Sequence, residues 1–244
     1  MNQFSLTGKT VLVTGASSGL GRQTAITVSK LGATVFITGR NEDRLNQTFR
    51  ELEGEGHKQF IADLTVQQDI DAMVSMLPEL NGVVFSTGIS DLTPARYITQ
   101  AAIEKTFSIS FNASVLLTSA LLGKKKIVKN SGSLVFISSI STRYPFVGGA
   151  MYISAKAAIE AYARVLALEL APKGIRVNCV APAFVKSPML EQTATNYSQD
   201  AVNMIEARQI LGLGEPEDVA NTIAFFLSDA SKWISATNLI LGGG

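Results

Sequence analysis

Thr10-Val-Leu-Val-Thr-Gly-Ala-Ser-Ser-Gly-Leu-Gly21 is the stretch from which the rest of the chain can be read. Thr10 to Thr14 is a short, β-branched, apolar run, suited to a strand buried on both faces of a parallel sheet. It breaks at Gly15, glycines recur at Gly19 and Gly21, and Gln23 to Leu31 has helical composition until Gly32 stops it. The order is strand, glycine turn, helix. Glycine suits such a turn because a Cβ would hold the backbone away from a pyrophosphate, while the first N–H groups of the helix point at the anion. The G-x3-G-x-G spacing differs from the usual G-x-G-x-x-G fingerprint, so the surrounding chain has to separate a nucleotide site from an ordinary tight turn.

The chain has 244 residues, 46% apolar and 17% charged, with no Pro/Gly/Ser-rich linker, and reads as one domain over residues 1–244. A formal net charge of +1 provides no field for nucleic acid or an anionic membrane. Lys124-Lys125-Lys126, with Lys129 nearby, reads as a solvated helix end. Met1 to Lys9 lacks the apolar core of a signal peptide, and no stretch of about 18 apolar residues stands out, so a cytoplasmic protein is expected. Cys179, in the apolar run Ile175 to Ala183, reads as an inert buried thiol. His57 lies in a polar connection, so neither a metal site nor a Ser-His-Asp arrangement is expected.

Thr34 to Thr38 is a second buried strand, followed by Gly39-Arg40-Asn41 and a helix from Glu42 to Glu53. At this distance beyond the glycines a carboxylate would accept from an adenine ribose 2′-OH, whereas an arginine accommodates a 2′-phosphate. The position holds Arg40 with no nearby acid to repel a phosphate, which favours NADP(H) over NAD(H). A third strand, Lys58 to Ala62, ends in Asp63-Leu64, where Asp63 either meets adenine or caps a helix over Val66 to Leu77. Val83 to Ser86 is a fourth strand, closed by Thr87-Gly88. The helix-like stretch Gln100 to Leu122 carries Asn112 among apolar residues, where it either kinks the helix or holds a water. Ser133 to Ile137 is a fifth strand running into Ser138-Ser139, and Tyr152 and Lys156, four apart, share one face of the helix that follows. Ser139 precedes Tyr152 by 13 residues. Glu215-Pro216 opens a last helix, and Asn238 to Leu241 supplies a seventh strand.

Thr14-Gly-Ala-Ser-Ser-Gly-Leu-Gly21, Asp63-Leu64, Asn112, Ser139, Tyr152 with Lys156, Arg176-Val-Asn178 and Pro182 occur in one order over nearly the whole chain, which resembles a classical short-chain dehydrogenase/reductase. The resemblance implies an α/β fold: a Rossmann-type, doubly wound parallel sheet of seven strands with helices on both faces. It implies NADP(H) bound by Gly15, Ser17, Ser18, Gly19, Leu20, Gly21, Arg40, Asn41, Asp63, Leu64, Ser86, Thr87, Gly88, Tyr152, Lys156, Pro182, Val185 and Ser187. Tyr152 is then the acid-base group, with Lys156 lowering its pKa and holding the nicotinamide ribose. Ser139 holds the carbonyl oxygen, and Asn112 keeps a water in line with Lys156.

Departures from the family pattern are Ser86-Thr87-Gly88 in place of Asn-Ala-Gly, Ala183 after Pro182, Ser187 in place of threonine, and Gly242 in place of an Asp. The segment 186–213 is expected to close over substrate. The helix after Tyr152 carries only Glu160 and Arg164 as charges between Ala157 and Leu168, so a second copy is expected to cover it in a homodimer or homotetramer. The resemblance implies a small-molecule or carrier-linked carbonyl as substrate, with Ile89, Ser90, Leu92, Arg143, Tyr144, Phe146, Met151, Phe184 and Met189 expected near the mouth of its site. The family's commonest assignment, a 3-oxoacyl-(acyl-carrier-protein) reductase, makes a 3-oxoacyl thioester the leading substrate. Lys124, Lys125, Lys126, Lys129 and Lys173, on helix ends flanking the cleft, would then meet the acidic carrier. A sugar, polyol or other alcohol, and a non-catalytic NADP-binding regulator, are the alternatives.

Overall fold

A computed structural model describes residues 2–194 and 209–242. Seven strands form one parallel sheet: β1 (Thr10–Thr14), β2 (Thr34–Gly39), β3 (Lys58–Ile61), β4 (Gly82–Phe85), β5 (Ser133–Ile137), β6 (Arg176–Pro182) and β7 (Asn238–Leu241), in the order β3-β2-β1-β4-β5-β6-β7. Winding runs outward from β1 to β3, then returns to β4 on the other side of β1. Such a reversal opens a crevice at the carboxyl ends of the strands, where open α/β sheets bind ligands.

The strands alternate between two cores. Val11, Val13, Val35, Ile37, Val84 and Val135 face one core, whereas Leu12, Phe36, Phe85, Leu134 and Phe136 face the other. Against the first pack α1 (Gly19–Lys30) and α8 (Pro216–Leu227). The second is covered by α3 (Gln67–Met76), α5 (Ala113–Gly123) and α6 (Ala150–Leu170), and Phe85 stacks on Phe136 with ring centres 4.2 Å apart. α2 (Glu42–Arg50) follows β2, α4 (Gln100–Phe107) precedes α5, and α7 (Pro188–Ala194) follows β6. α8 begins at Pro216 behind a capping box in which Glu215 and Asp218 each accept from the other's backbone N–H.

One expectation changes here, and another gains a contact. A π-turn, Ser108–Asn112, joins α4 to α5, so Gln100–Gly123 forms one rod whose apolar window, of mean hydropathy 1.4, is long and apolar enough to cross a membrane. Its Ala113, Leu117 and Leu121 are committed to the core. His57, read as part of a polar connection, holds that connection to the sheet: its Nδ1 accepts from Val35 N–H at 2.9 Å and its Nε2 lies 2.9 Å from the Glu53 carbonyl.

Candidate active site

A cleft of about 560 Å³ opens at the carboxyl ends of β1, β2, β4, β5 and β6. Its floor is the glycine turn. Gly15 and Gly19 have φ of +62° and +54°, and a Cβ on Gly15 would stand 2.9 Å from the Ser86 carbonyl oxygen. Around Gly19 nothing approaches a Cβ position more closely than Pro188 Cδ at 4.0 Å, so a side chain there would fill the cleft. Ser18 makes no side-chain cap to α1, and the first turn of α1 contains no acid, which leaves its N–H groups aimed at the cleft. Thr38 Oγ1 and Thr87 Oγ1, both in the wall, are buried with no hydrogen-bond partner among the described residues. A cradle that a Cβ would fill, an uncapped helix start and two orphaned hydroxyls fit a bound dinucleotide.

At one end stands Arg40, joined by Arg44 in the same wall. The sequence reading placed no acid beside Arg40. In the fold Asp63 Oδ2 lies 3.5 Å from Arg40 Nη1, because β2 and β3 are neighbours. Burial pushes the Asp63 carboxyl up, but hydrogen bonds from Thr65 and the Arg40 charge outweigh it and hold it below its ordinary value. Asp63 does not cap α3: its Oδ1 accepts from Thr65 N–H at 2.9 Å and Thr65 Oγ1 at 2.7 Å, and the α3 cap position is Val66. The helix-cap reading therefore falls, and Asp63 lines the cleft.

At the other end Ser139, just beyond β5, meets Tyr152 and Lys156 from the first turns of α6. Lys156 is 6% exposed, and its Nζ donates to the Ile137 carbonyl at 2.8 Å and lies 5.9 Å from the centre of the Tyr152 ring. Burial lowers its pKa to about 8. Burial also pushes the Tyr152 phenol above its ordinary value, against a hydrogen bond with Ser139 that pulls it down. The sequence reading expected the lysine charge to dominate and lower it; in this structure desolvation wins. Ser138, the rival to Ser139, gives its hydroxyl to Glu160 Oε1 at 2.5 Å.

A short-chain dehydrogenase/reductase family model described as enoyl-(acyl carrier protein) reductase matches residues 15–244. The 3-oxoacyl-(acyl-carrier-protein) reductase of Rickettsia felis is 34% identical over 242 residues, covering 99% of this chain and 98% of that protein. The chain belongs to the short-chain dehydrogenase/reductase family. Among solved structures, a dehydrogenase/reductase from Sinorhizobium meliloti superposes with a TM-score of 0.89 at 27% identity, covering 99% of this chain and 96% of that one. A variant of the actinorhodin polyketide ketoreductase, solved with NADPH, superposes with a TM-score of 0.89 at 25% identity, covering 100% and 98%. This short-chain dehydrogenase/reductase is therefore an oxidoreductase of a family that binds nicotinamide cofactors.

Most of the expected site lines the cleft: Gly15, Ser17, Ser18, Gly19, Leu20, Arg40, Asn41, Asp63, Leu64, Ser86, Thr87, Gly88, Ser139, Tyr152, Lys156, Pro182, Val185 and Ser187. Two residues do not. Gly21 lies behind the turn, where a Cβ would come within 2.4 Å of the Gly15 carbonyl oxygen, so it serves packing rather than ligand contact. Asn112 is exposed and away from the cleft. Ser110, 1% exposed and four residues beyond the buried Thr106, faces inward instead. Ser110 Oγ accepts from Ile89 N–H at 3.1 Å, and a Cβ built on Gly88 would lie 3.7 Å from it and 3.4 Å from Lys156 Nζ.

The mouth also differs from expectation. Ile89, Ser90, Phe184 and Met189 line it, joined by Ile109, Ser141 and Leu190. Leu92, Arg143, Tyr144, Phe146 and Met151 do not, and Arg143 and Tyr144 are exposed on the loop before α6. Of the segment expected to close over substrate, 186–213, residues 195–208 lie outside the described residues. Arg44, Ser110 and Ser141 were missed because nothing in their spacing separates them from ordinary surface or turn residues. Cys179 is buried as expected, with its thiol pushed up to about 12 by that burial.

Proposed function

We propose that this enzyme interconverts a carbonyl and a secondary alcohol with NADP(H), and that its carbonyl substrate is a 3-oxoacyl thioester. The observation that carries the reaction is the convergence of Ser139, Tyr152 and Lys156 at one end of a cleft whose other end holds Arg40 and Arg44. Arg40 and Arg44 hold the 2′-phosphate, and the Asp63 partner of Arg40 gives way to it. Val185 and Ser187 hold the carboxamide end, and the bound nicotinamide supplies or takes the hydride. Tyr152 gives its proton to the carbonyl oxygen in reduction and takes it back in oxidation. Ser139 donates to the same oxygen as negative charge develops there. Lys156, charged below about pH 8, holds the ribose and favours phenolate once the proton has left.

The thioester rests on the apolar mouth and on the name of the Rickettsia felis relative. It does not rest on the basic residues. Asn130 N–H donates to the Lys173 carbonyl, so Lys129 and Lys173 adjoin, but they precede β5 and β6 and stand at the amino ends of the strands, opposite the cleft. The helices that end there run antiparallel to the strands, which is why the expected carrier-facing lysines do not flank the mouth of their own chain.

Oxidation of NADPH and of NADH with a short 3-oxoacyl thioester tests the reading, wild type beside Tyr152→Phe and Arg40→Glu. Tyr152→Phe is expected to lower kcat by about 10²-fold or more, and Arg40→Glu to lower kcat/KM about tenfold or more with NADPH while sparing NADH. Turnover of a 2-enoyl thioester alone would move the assignment to the reaction in the family model's description. Tight NADPH binding without turnover of either would remove the thioester in favour of sugars and polyols or a regulator.

A further inference from the structure

Glu160 takes no part in the hydride or proton chemistry, yet it grips the turn that carries the cleft-facing hydroxyls. It stands on α6 one turn beyond Lys156, and a single oxygen, Oε1, accepts from Ser138 Oγ at 2.5 Å and from Thr142 Oγ1 at 2.7 Å. Those two residues bracket residues 139–141. Inside the bracket the Ser139 hydroxyl donates to Ser141 Oγ at 3.1 Å, and the same Ser139 oxygen accepts from Ser141 N–H at 3.2 Å. Thr142 has one hydroxyl hydrogen and a second acceptor within reach, the Ser139 carbonyl at 3.0 Å. The bond to the carboxylate is charge-assisted and the stronger of the two.

The turn lies beyond the end of β5, so the sheet holds it weakly: Ser138 N–H reaches the Val180 carbonyl at 2.8 Å, and Ile140–Thr142 is a single 3₁₀ turn. Its placement against α6 rests on side chains from two successive turns of that helix, Lys156 Nζ on the Ile137 carbonyl and Glu160 on Ser138 and Thr142. We propose that Glu160 is a positioning residue that ties both ends of the 138–142 turn to α6 and so sets Ser139 against Tyr152. This rests on the Ser139 and Tyr152 roles given above. A displacement of about 1 Å at such a group costs on the order of 10²-fold in rate, so a partial slackening is a measurable loss.

Glu160→Ala removes the acceptor, whereas Glu160→Gln keeps an amide oxygen with two lone pairs in nearly the same place. Glu160→Ala is expected to lower kcat about tenfold with the KM for NADPH unchanged, and Glu160→Gln to stay within about twofold of wild type. Ser138→Ala with Thr142→Val is expected to lower kcat as Glu160→Ala does, and the triple variant to lose no more, because all three act through one contact. A second readout needs no substrate: the ultraviolet phenolate titration of Tyr152, isolated by difference against Tyr152→Phe. Glu160→Ala is expected to move that titration upward as the Ser139 hydrogen bond slackens, and Glu160→Gln to leave it in place. If wild type reduces no carbonyl the proposed function falls, and the titration still decides the role of Glu160. Unchanged kcat and an unmoved titration in Glu160→Ala would overturn the proposal, as would damage from Gln equal to that from Ala.

Discussion

At the residue scale the decisive group is Lys156, a lysine 6% exposed whose pKa falls from 10.5 to about 8 on burial. Between those values the unfolded chain binds the proton and the folded chain does not, so stability rises with pH across that window. Below about pH 8 both states are protonated, and the full cost of burying the ammonium remains. Lys156 is therefore expected to contribute a rise of about 3 kcal/mol in unfolding free energy between pH 8 and 10.5, read in urea as the difference between wild type and Lys156→Met, because the raised Cys179 thiol works in the opposite direction above about pH 9 in both proteins. A flat difference between the two proteins would show that Lys156 keeps its ordinary pKa in the fold. The Tyr152 and Lys156 pair is legible in the chain because a four-residue spacing on a helix needs no tertiary information. The direction of the Tyr152 shift is not legible, since it depends on how much water the folded site excludes.

At the scale of elements, the face of the Gln100–Gly123 rod that turns inward separates the expected site from the observed one. Buried Thr106, Ser110, Ser114 and Leu117 follow ordinary helical spacing along it, and Asn112, two residues from Ser110, points outward. Asn112→Ala is expected to leave kcat within about twofold of wild type, because an exposed side chain off the cleft holds nothing there. Ser110→Ala strips Ile89 N–H of its acceptor and is expected to cost about 1–3 kcal/mol of stability, read by denaturant unfolding. A strong activity loss from Asn112→Ala would restore the sequence assignment. The strand, glycine turn and helix at the N-terminus were legible because the glycines mark positive φ and close approach in the sequence itself. The π-turn leaves no such mark, as Ser108-Ile-Ser-Phe-Asn112 has the composition of ordinary helix.

At the scale of the whole molecule, α6 has two faces of different use. Its inner face supplies Tyr152, Lys156 and Glu160 to the site, while Val165 and Leu168 are 55% and 73% exposed and Leu116 on α5 lies open beside the same layer. With Glu160 turned toward the 138–142 turn, the outward face is more apolar than the sequence pattern alone indicates. We propose that a second copy of the chain covers it, so that the catalytic helix is also the dimer helix. Leu168→Glu is expected to shift the protein to monomer in sedimentation, because an unpaired carboxylate would enter an apolar interface. An unchanged oligomer, or a monomeric wild type, would remove that reading.

The chain by itself determined the strand and helix alternation, the dinucleotide turn, the arginine after β2, and the Ser139, Tyr152 and Lys156 set. Each follows from local spacing or backbone conformation, which short-range sterics and hydrogen bonding dictate. Only the tertiary structure placed Asp63 beside Arg40, exchanged Asn112 for Ser110, set Glu160 on Ser138 and Thr142, and sent Lys129 and Lys173 to the amino ends of the strands. Those outcomes depend on which strands are neighbours and on the rotation of one helix about its axis. Both are decided by long-range packing of the two cores, for which adjacent residues carry no pattern.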